Sequence, residues 1–202
     1  MKKIVLICMM SFVTMLTMAQ TSESAKKVLD KTASVVGRKG GASATFKVSS
    51  SKYGNANGTI SIKGNKFHAN TPQAIVWFDG KTQWTYMKST EEVNVITPNE
   101  AQQAALNPYQ FITMYKSGFN MSMKTVGNQY QVHLTAQNKK RSVQEMYINI
   151  NKSTYVPSQV KMRQGTTWTT IDISNFKAVN QANSLFTFNA KDFPQAEVID
   201  LR

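Results

Sequence analysis

From Ala44 to Leu201 the chain consists of short runs in which apolar and polar residues alternate, and most of the runs end at Gly, Asn or Asp. A period of two puts successive side chains on opposite faces of a strand, so this pattern confines the chain to sheet structure. Ala44, Phe46 and Val48 alternate with Thr45, Lys47 and Ser49. After the turn Gly54-Asn55-Ala56-Asn57-Gly58, Ile60 and Ile62 alternate with Ser61 and Lys63; Gly64-Asn65 turns the chain again, and Phe67 and Ala69 follow. Further runs are Ala74–Phe78, Thr82–Met87 and Glu92–Ile96, then Phe119–Met123, Tyr130–Leu134, Met146–Ile150, Val156–Met162, Trp168–Phe176, Leu185–Phe188 and Val198–Leu201. Two-residue turns between alternating runs are the mark of hairpins. Strands do not alternate with helices, which argues against a parallel sheet. The expectation is a mainly β fold, one strongly curved antiparallel sheet of about 11 strands, closed or nearly closed to manage its edges.

Two segments break the rhythm. Ser24–Val36 reads as an amphipathic helix, with Ala25, Val28, Leu29, Thr32 and Val36 near one face and Lys26, Lys27, Asp30 and Lys31 on the other; Gly37 ends it. Pro98–Tyr115 reads as a helical insertion, interrupted at Asn107-Pro108 and carrying Phe111, Ile112 and Tyr115. Ahead of both, Lys2 and Lys3 precede an apolar stretch from Ile4 to Met18 that ends in Thr17-Met18-Ala19. A positive start, a short apolar core and a small-x-small ending are those of a secretory signal peptide. Cleavage after Ala19 is expected, leaving residues 20–202 as a single domain outside the cytoplasm. Cys8, the sole cysteine, falls inside the signal, so thiol catalysis and Cys-based metal sites are excluded from the mature chain.

The formal net charge is +13, with 24 Lys and Arg against 11 Asp and Glu. Scattered lysines on an exported chain do not read as a nucleic-acid surface; attraction to anionic membranes or acidic partners suits them better. Lys139-Lys140-Arg141 is the one tight cluster, in an expected hairpin loop. Catalysis finds little support. No G-x-S-x-G, H-E-x-x-H or Gly-rich phosphate loop occurs. His68 and His133 each sit on an expected strand, and the adjacent Glu91 and Glu92 point to opposite faces of theirs. What stands out instead is the use of Trp, Tyr, Phe and Met on strands, side chains that suit a surface accepting varied apolar shapes. Core filling reads the same way in sequence.

Asp79-Gly80-Lys81-Thr82-Gln83-Trp84-Thr85-Tyr86 resembles the D-G-K-T-x-W-x-Y strand of the LolA-like periplasmic lipoprotein carrier family. Val28-Leu29-Asp30-Lys31, Phe46, Gly58 to Phe67, Leu106-Asn107-Pro108-Tyr109 with Phe111-Ile112, and Phe186-Thr187-Phe188 through Val198-Ile199-Asp200 follow in the family's order. The resemblance implies an incomplete, half-closed antiparallel β barrel with a lid of about three helices over an apolar cavity. It implies a periplasmic chaperone, not an enzyme. Such a carrier would take acylated lipoproteins from an inner-membrane lipoprotein-releasing ABC transporter to an outer-membrane acceptor. A monomer without cofactor or metal is expected. By position, Leu29 and Ile112 are implied as lid residues and Val160 as an apolar sheet position. Phe46, Ile60, Ile62, Phe67, Ile75, Trp84, Tyr86 and Met121 complete the implied lining, with strand parity left open. The family's lid-holding Arg-Pro has no counterpart in Ile62-Lys63-Gly64-Asn65-Lys66-Phe67. Lys63 or Lys66 would have to substitute, without the planar fork that satisfies two carbonyls at once. The same scaffold also suits a periplasmic carrier or sensor of another lipid or glycolipid.

Overall fold

The computed structural model describes residues 22–52, 54–99 and 113–202; the expected signal peptide lies outside them. Residues 22–36 form helix α1, which ends where the Gly37 amide donates to the Ala33 carbonyl at 2.8 Å. Twelve strands follow. They are β1 (Ala42–Ser50), β2 (Gly54–Lys63), β3 (Lys66–Asn70), β4 (Ala74–Phe78), β5 (Gln83–Met87) and β6 (Glu92–Ile96), then β7 (Phe119–Val126), β8 (Gln129–Ala136), β9 (Glu145–Asn151), β10 (Pro157–Gln164), β11 (Thr167–Ala178) and β12 (Glu197–Asp200). The turn that Gly64-Asn65 predicts is present, and Gly127-Asn128 forms a second one: Gly64 (φ 60°) and Gly127 (φ 54°) open the two-residue connections of the β2–β3 and β7–β8 hairpins. That left-handed backbone matches the twist of the flanking strands and favours glycine.

All twelve strands join one sheet in the order β12-β6-β5-β4-β3-β2-β1-β11-β10-β9-β8-β7. The sheet is open, with β12 and β7 at its edges. The expectation of about 11 strands in a half-closed barrel is thereby corrected to twelve in an open sheet. The lid of about three helices is not matched either: among the described residues α1 is the single α-helix, and the expected central helices fall largely on residues 100–112, outside them. Leu185–Phe188, expected as a strand, starts instead within a 3-10 turn over Asn183–Phe186. The twelfth strand is β12, which pairs with β6 in parallel, a short return made possible by the irregular chain before it. Every other pairing is antiparallel.

The two hairpin series meet at the β1–β11 pair. Its register slips between Ser43 and Thr45, and Asn175 on β11 takes φ 51° there. A bulge of this kind bends a strand and increases its local twist. One face of the sheet, here the inner face, carries α1 through two packed patches. Ala25, Val28 and Leu29 of α1 sit with Val132, Leu134, Met146, Ile148 and Val160 of β8–β10, joined by Tyr115 and Phe119. Val36, at the other end of α1, sits with Ala42, Ile62, Phe67 and Phe78.

Candidate functional site

Between the two patches the inner face continues as an apolar strip that is neither packed tight nor fully open. Phe46 and Val48 on β1, Ile60 on β2, and Ile171 and Ile173 on β11 are all half-buried. Cross-strand register places them side by side: Phe46 faces Ile173, and Val48 faces Ile171. Met121 and Met123 on β7, opposite Leu134 and Val132, extend the strip at the far edge. Phe46 also stands opposite Gly58, where a Cβ would lie 3.2 Å from the ring's Cζ. Gly58 thus leaves room for the aromatic ring across the strand pair.

The α1 helix is tied to the sheet's β7 side by a polar contact. Tyr115, 1% exposed, donates its phenol to Asp30 Oδ1 at 2.6 Å. Lys26 donates to the other oxygen at 2.8 Å. These two bonds, that from Lys26 the larger, hold the Asp30 carboxyl below the ordinary aspartate range. Thr32, on the same helix, is buried, and its hydroxyl has no hydrogen-bond partner among the described residues.

The structure separates the sequence-predicted lining. Leu29 faces the sheet from α1, and Phe46, Ile60, Ile62, Phe67, Met121 and Val160 share the inner face. Ile75, Trp84 and Tyr86 do not join them. Their neighbours Val76 and Phe78 pack with the inner-face patch, so period two turns these three to the outer face. There a second aromatic cluster forms. Trp77 lies 5.5 Å from Phe188 and 5.4 Å from Phe193, and Phe193 lies 4.7 Å from Tyr86. The segment after β11 covers this face, and Phe186 in it is fully buried. The His68 ring, 5.6 Å from Trp77, is pushed down in pKa by burial. Ile112 lies outside the described residues. Of the two lysines weighed as a lid lock, Lys63 donates to the Gln181 carbonyl at 2.8 Å, tying the hairpin to the C-terminal segment, and Lys66 stands opposite it in the register.

Val48, Met123, Ile171 and Ile173 belong to the inner strip and are absent from the predicted lining. Each sits two residues from another member of the strip or directly across from one, so the alternation itself was the signal that could have found them.

Among the described residues the chain is mainly β, an open and almost wholly antiparallel sheet with one helix on its inner face and an apolar strip beside it. The chain belongs to the outer membrane lipoprotein carrier protein LolA family, which matches residues 15–166. That is a family of carriers. The fold is similar to an uncharacterized conserved protein from Thermus thermophilus, with a TM-score of 0.60 and 12% identity over 88% of this chain and 99% of that one. A LolA superfamily protein from Nitrosomonas europaea is similar at a TM-score of 0.43 and 10% identity, covering 81% of this chain and 97% of that one. LprF from Mycobacterium bovis is similar at 0.47 and 10%, covering 81% and 98%. No curated protein matches the chain in sequence. Among the described residues, no helix is long and apolar enough to cross a membrane.

Proposed function

We propose that this protein is exported, loses its signal after Ala19 and works in the periplasm as a single-domain carrier of residues 20–202. It holds the acyl chains of lipoproteins against the inner face, taking them from an inner-membrane ABC transporter and delivering them to an outer-membrane acceptor. The observation that carries this reading is the half-buried strip of Phe46, Val48, Ile60, Ile171 and Ile173 beside α1. A contiguous apolar surface of this kind is unfavourable in water and calls for an occupant. Each methylene it takes from water is worth about 0.8 kcal/mol, so acyl chains that cannot cross an aqueous gap bare can cross it here. The family's carriers support the same reading. So does the way α1 lies on the inner face, held there by one apolar side and by the Tyr115–Asp30 hydrogen bond.

Two measurements test this. Mass spectrometry of the purified protein should find co-purified acylated protein, and depletion of the protein in its host should leave outer-membrane lipoproteins at the inner membrane in a pulse-chase. Phospholipid or glycolipid as the only co-purified species would assign a different cargo to the same strip. Normal lipoprotein sorting after depletion, with an empty purified protein, would end the proposal.

A further inference from the structure

Residues 113–170 contain eight basic side chains and a single acidic one, Glu145. That one carboxylate is already engaged. Arg163 Nε donates to it at 3.0 Å, the Tyr147 hydroxyl donates at 3.0 Å, and His133 Nε2 lies 3.0 Å away. Burial works to raise its pKa, but these partners win and hold it below the usual carboxylate value. The half of the sheet built from β7–β10 therefore carries an excess of positive charge, of which Asp30 on α1, close enough to interact with Lys116, offsets a part.

The topology concentrates that charge at one end. Arg163 is the last residue but one of β10, two before Gly165, and pairs with both Glu145 and Trp168. The β8–β9 loop carries Lys139, Lys140 and Arg141 at the same end, because the Gln144 amide bonds the Arg163 carbonyl at 3.0 Å. Lys116 joins them, since Arg141 donates to the neighbouring Ser117 carbonyl at 3.2 Å and Gln137 to that of Gly118 at 3.0 Å. Lys116, Lys139 and Lys140 are exposed. Beside them Trp168 is half-buried on the outer face, with Lys161 Nζ 4.8 Å from its ring centroid.

We propose that this end of the sheet docks the protein on an anionic lipid bilayer surface. Lys139 and Lys140 share the β8–β9 loop and Lys116 stands on the turn before β7, all as point charges on flexible stems, which suits the diffuse charge of lipid headgroups better than the fixed carboxylates of a protein partner. Tryptophan next to cationic side chains is the combination that settles at a membrane–water interface. The surface works without cargo, so this inference does not rest on the occupant of the inner strip.

The test is cosedimentation of the cargo-free protein with vesicles of phosphatidylcholine alone and of phosphatidylcholine with phosphatidylglycerol. Binding is expected only with phosphatidylglycerol, and weaker as salt shortens the range of the charges. Lys139→Ala and Lys140→Ala should each lower partitioning by about fivefold at low salt, the factor for about 1 kcal/mol per lysine near a charged surface. Lys177→Ala, on exposed sheet at the other end of β11, should not change it. Vesicles should shift tryptophan emission to the blue in the parent and not in Trp168→Phe. Equal binding to both vesicles, parental binding by the two lysine variants, or a shift that persists in Trp168→Phe overturns the proposal. Salt-sensitive binding to polyglutamate with none to vesicles also overturns it and gives the surface to an acidic protein.

Discussion

The Tyr115 phenol donates to Asp30 Oδ1 at 2.6 Å across 85 residues of sequence, joining α1 to the chain that enters β7. It is a direct polar contact between the helix and the body of the sheet, and it offers a handle on helix opening. Tyr115→Phe keeps the buried ring and removes only the bond. A hydrogen bond to a half-exposed carboxylate is worth about 1 kcal/mol. The melting temperature should fall by about 2–4 °C. Amide exchange over residues 22–36 should quicken while β8–β10 stay protected. Equal acceleration in both regions would mean that α1 does not open as a unit.

Acid should loosen the same contact. Asp30 has a folded pKa below its unfolded one, because Lys26 and then Tyr115 hydrogen-bond the ionised form. The stability it contributes is full above the unfolded value, near pH 4, and is lost as pH falls through the lower folded value. Thermal melts of the parent and of Asp30→Asn should therefore differ at neutral pH and converge below about pH 4. A gap that stays constant through that window would assign the effect of the variant to packing.

Thr32 points the other way. Its hydroxyl is buried on α1 without a partner among the described residues, and an unsatisfied buried group costs about 1–3 kcal/mol. Thr32→Val keeps the shape and removes the cost. The variant should melt higher and open its helix more slowly. If α1 must lift for cargo to leave, transfer of a bound acyl probe to acceptor vesicles should slow as well. A variant that melts higher but transfers at the parental rate would separate helix lifting from release.

Gly58 is fixed by two neighbours. A Cβ there would lie 2.1 Å from the Asn70 carbonyl oxygen and 3.2 Å from Phe46 Cζ. Gly58→Ala should cost about 1–3 kcal/mol in chemical denaturation, the usual range for overpacking. Adding Phe46→Ala should not restore the loss, because the nearer obstacle is backbone. Recovery in the double variant would show that the ring alone sets the constraint.

The inner face was largely legible in the sequence wherever only one side of a strand is apolar. Phe46, Ile60, Ile62 and Phe67 follow from plain alternation against Thr, Lys and Ser, and the structure puts them on one face. On β4 the alternation disappears. Ala74–Phe78 is apolar throughout because both faces are covered, the inner by the patch of Val36 and Phe67 and the outer by Phe188 and Phe193. On β5 the reading inverts: Gln83 and Thr85 take the parity of the inner face, whereas Trp84 and Tyr86 turn outward. Large aromatics mark a covered face, but nothing within β5 says what covers it. The cover comes about a hundred residues later in the chain, from a segment whose 3-10 turns have no simple period. The strand at Val198–Leu201 was readable from its residues, but its parallel pairing with β6 was not, since that partner is set by the path of the same irregular segment.

The two faces yield opposite phenotypes, which makes the assignment of Trp84 testable. If the acyl strip is on the inner face, Ile173→Gln should weaken binding of a fluorescent fatty-acyl probe by tenfold or more, the loss expected for one buried aliphatic contact of about 1.5 kcal/mol or more. Its melting temperature should change little, because Ile173 is only half-buried. Trp84→Ala should do the reverse, lowering stability and leaving probe affinity intact. Phe186→Ala should resemble Trp84→Ala in kind and exceed it, at about 3–5 kcal/mol, because Phe186, within the segment after β11, is fully buried. Loss of probe binding in Trp84→Ala at temperatures where the variant is folded would place cargo on the outer face and remove the basis for the inner strip. That comparison separates a residue that holds the protein together from one that holds its ligand, a distinction that alternation alone cannot make.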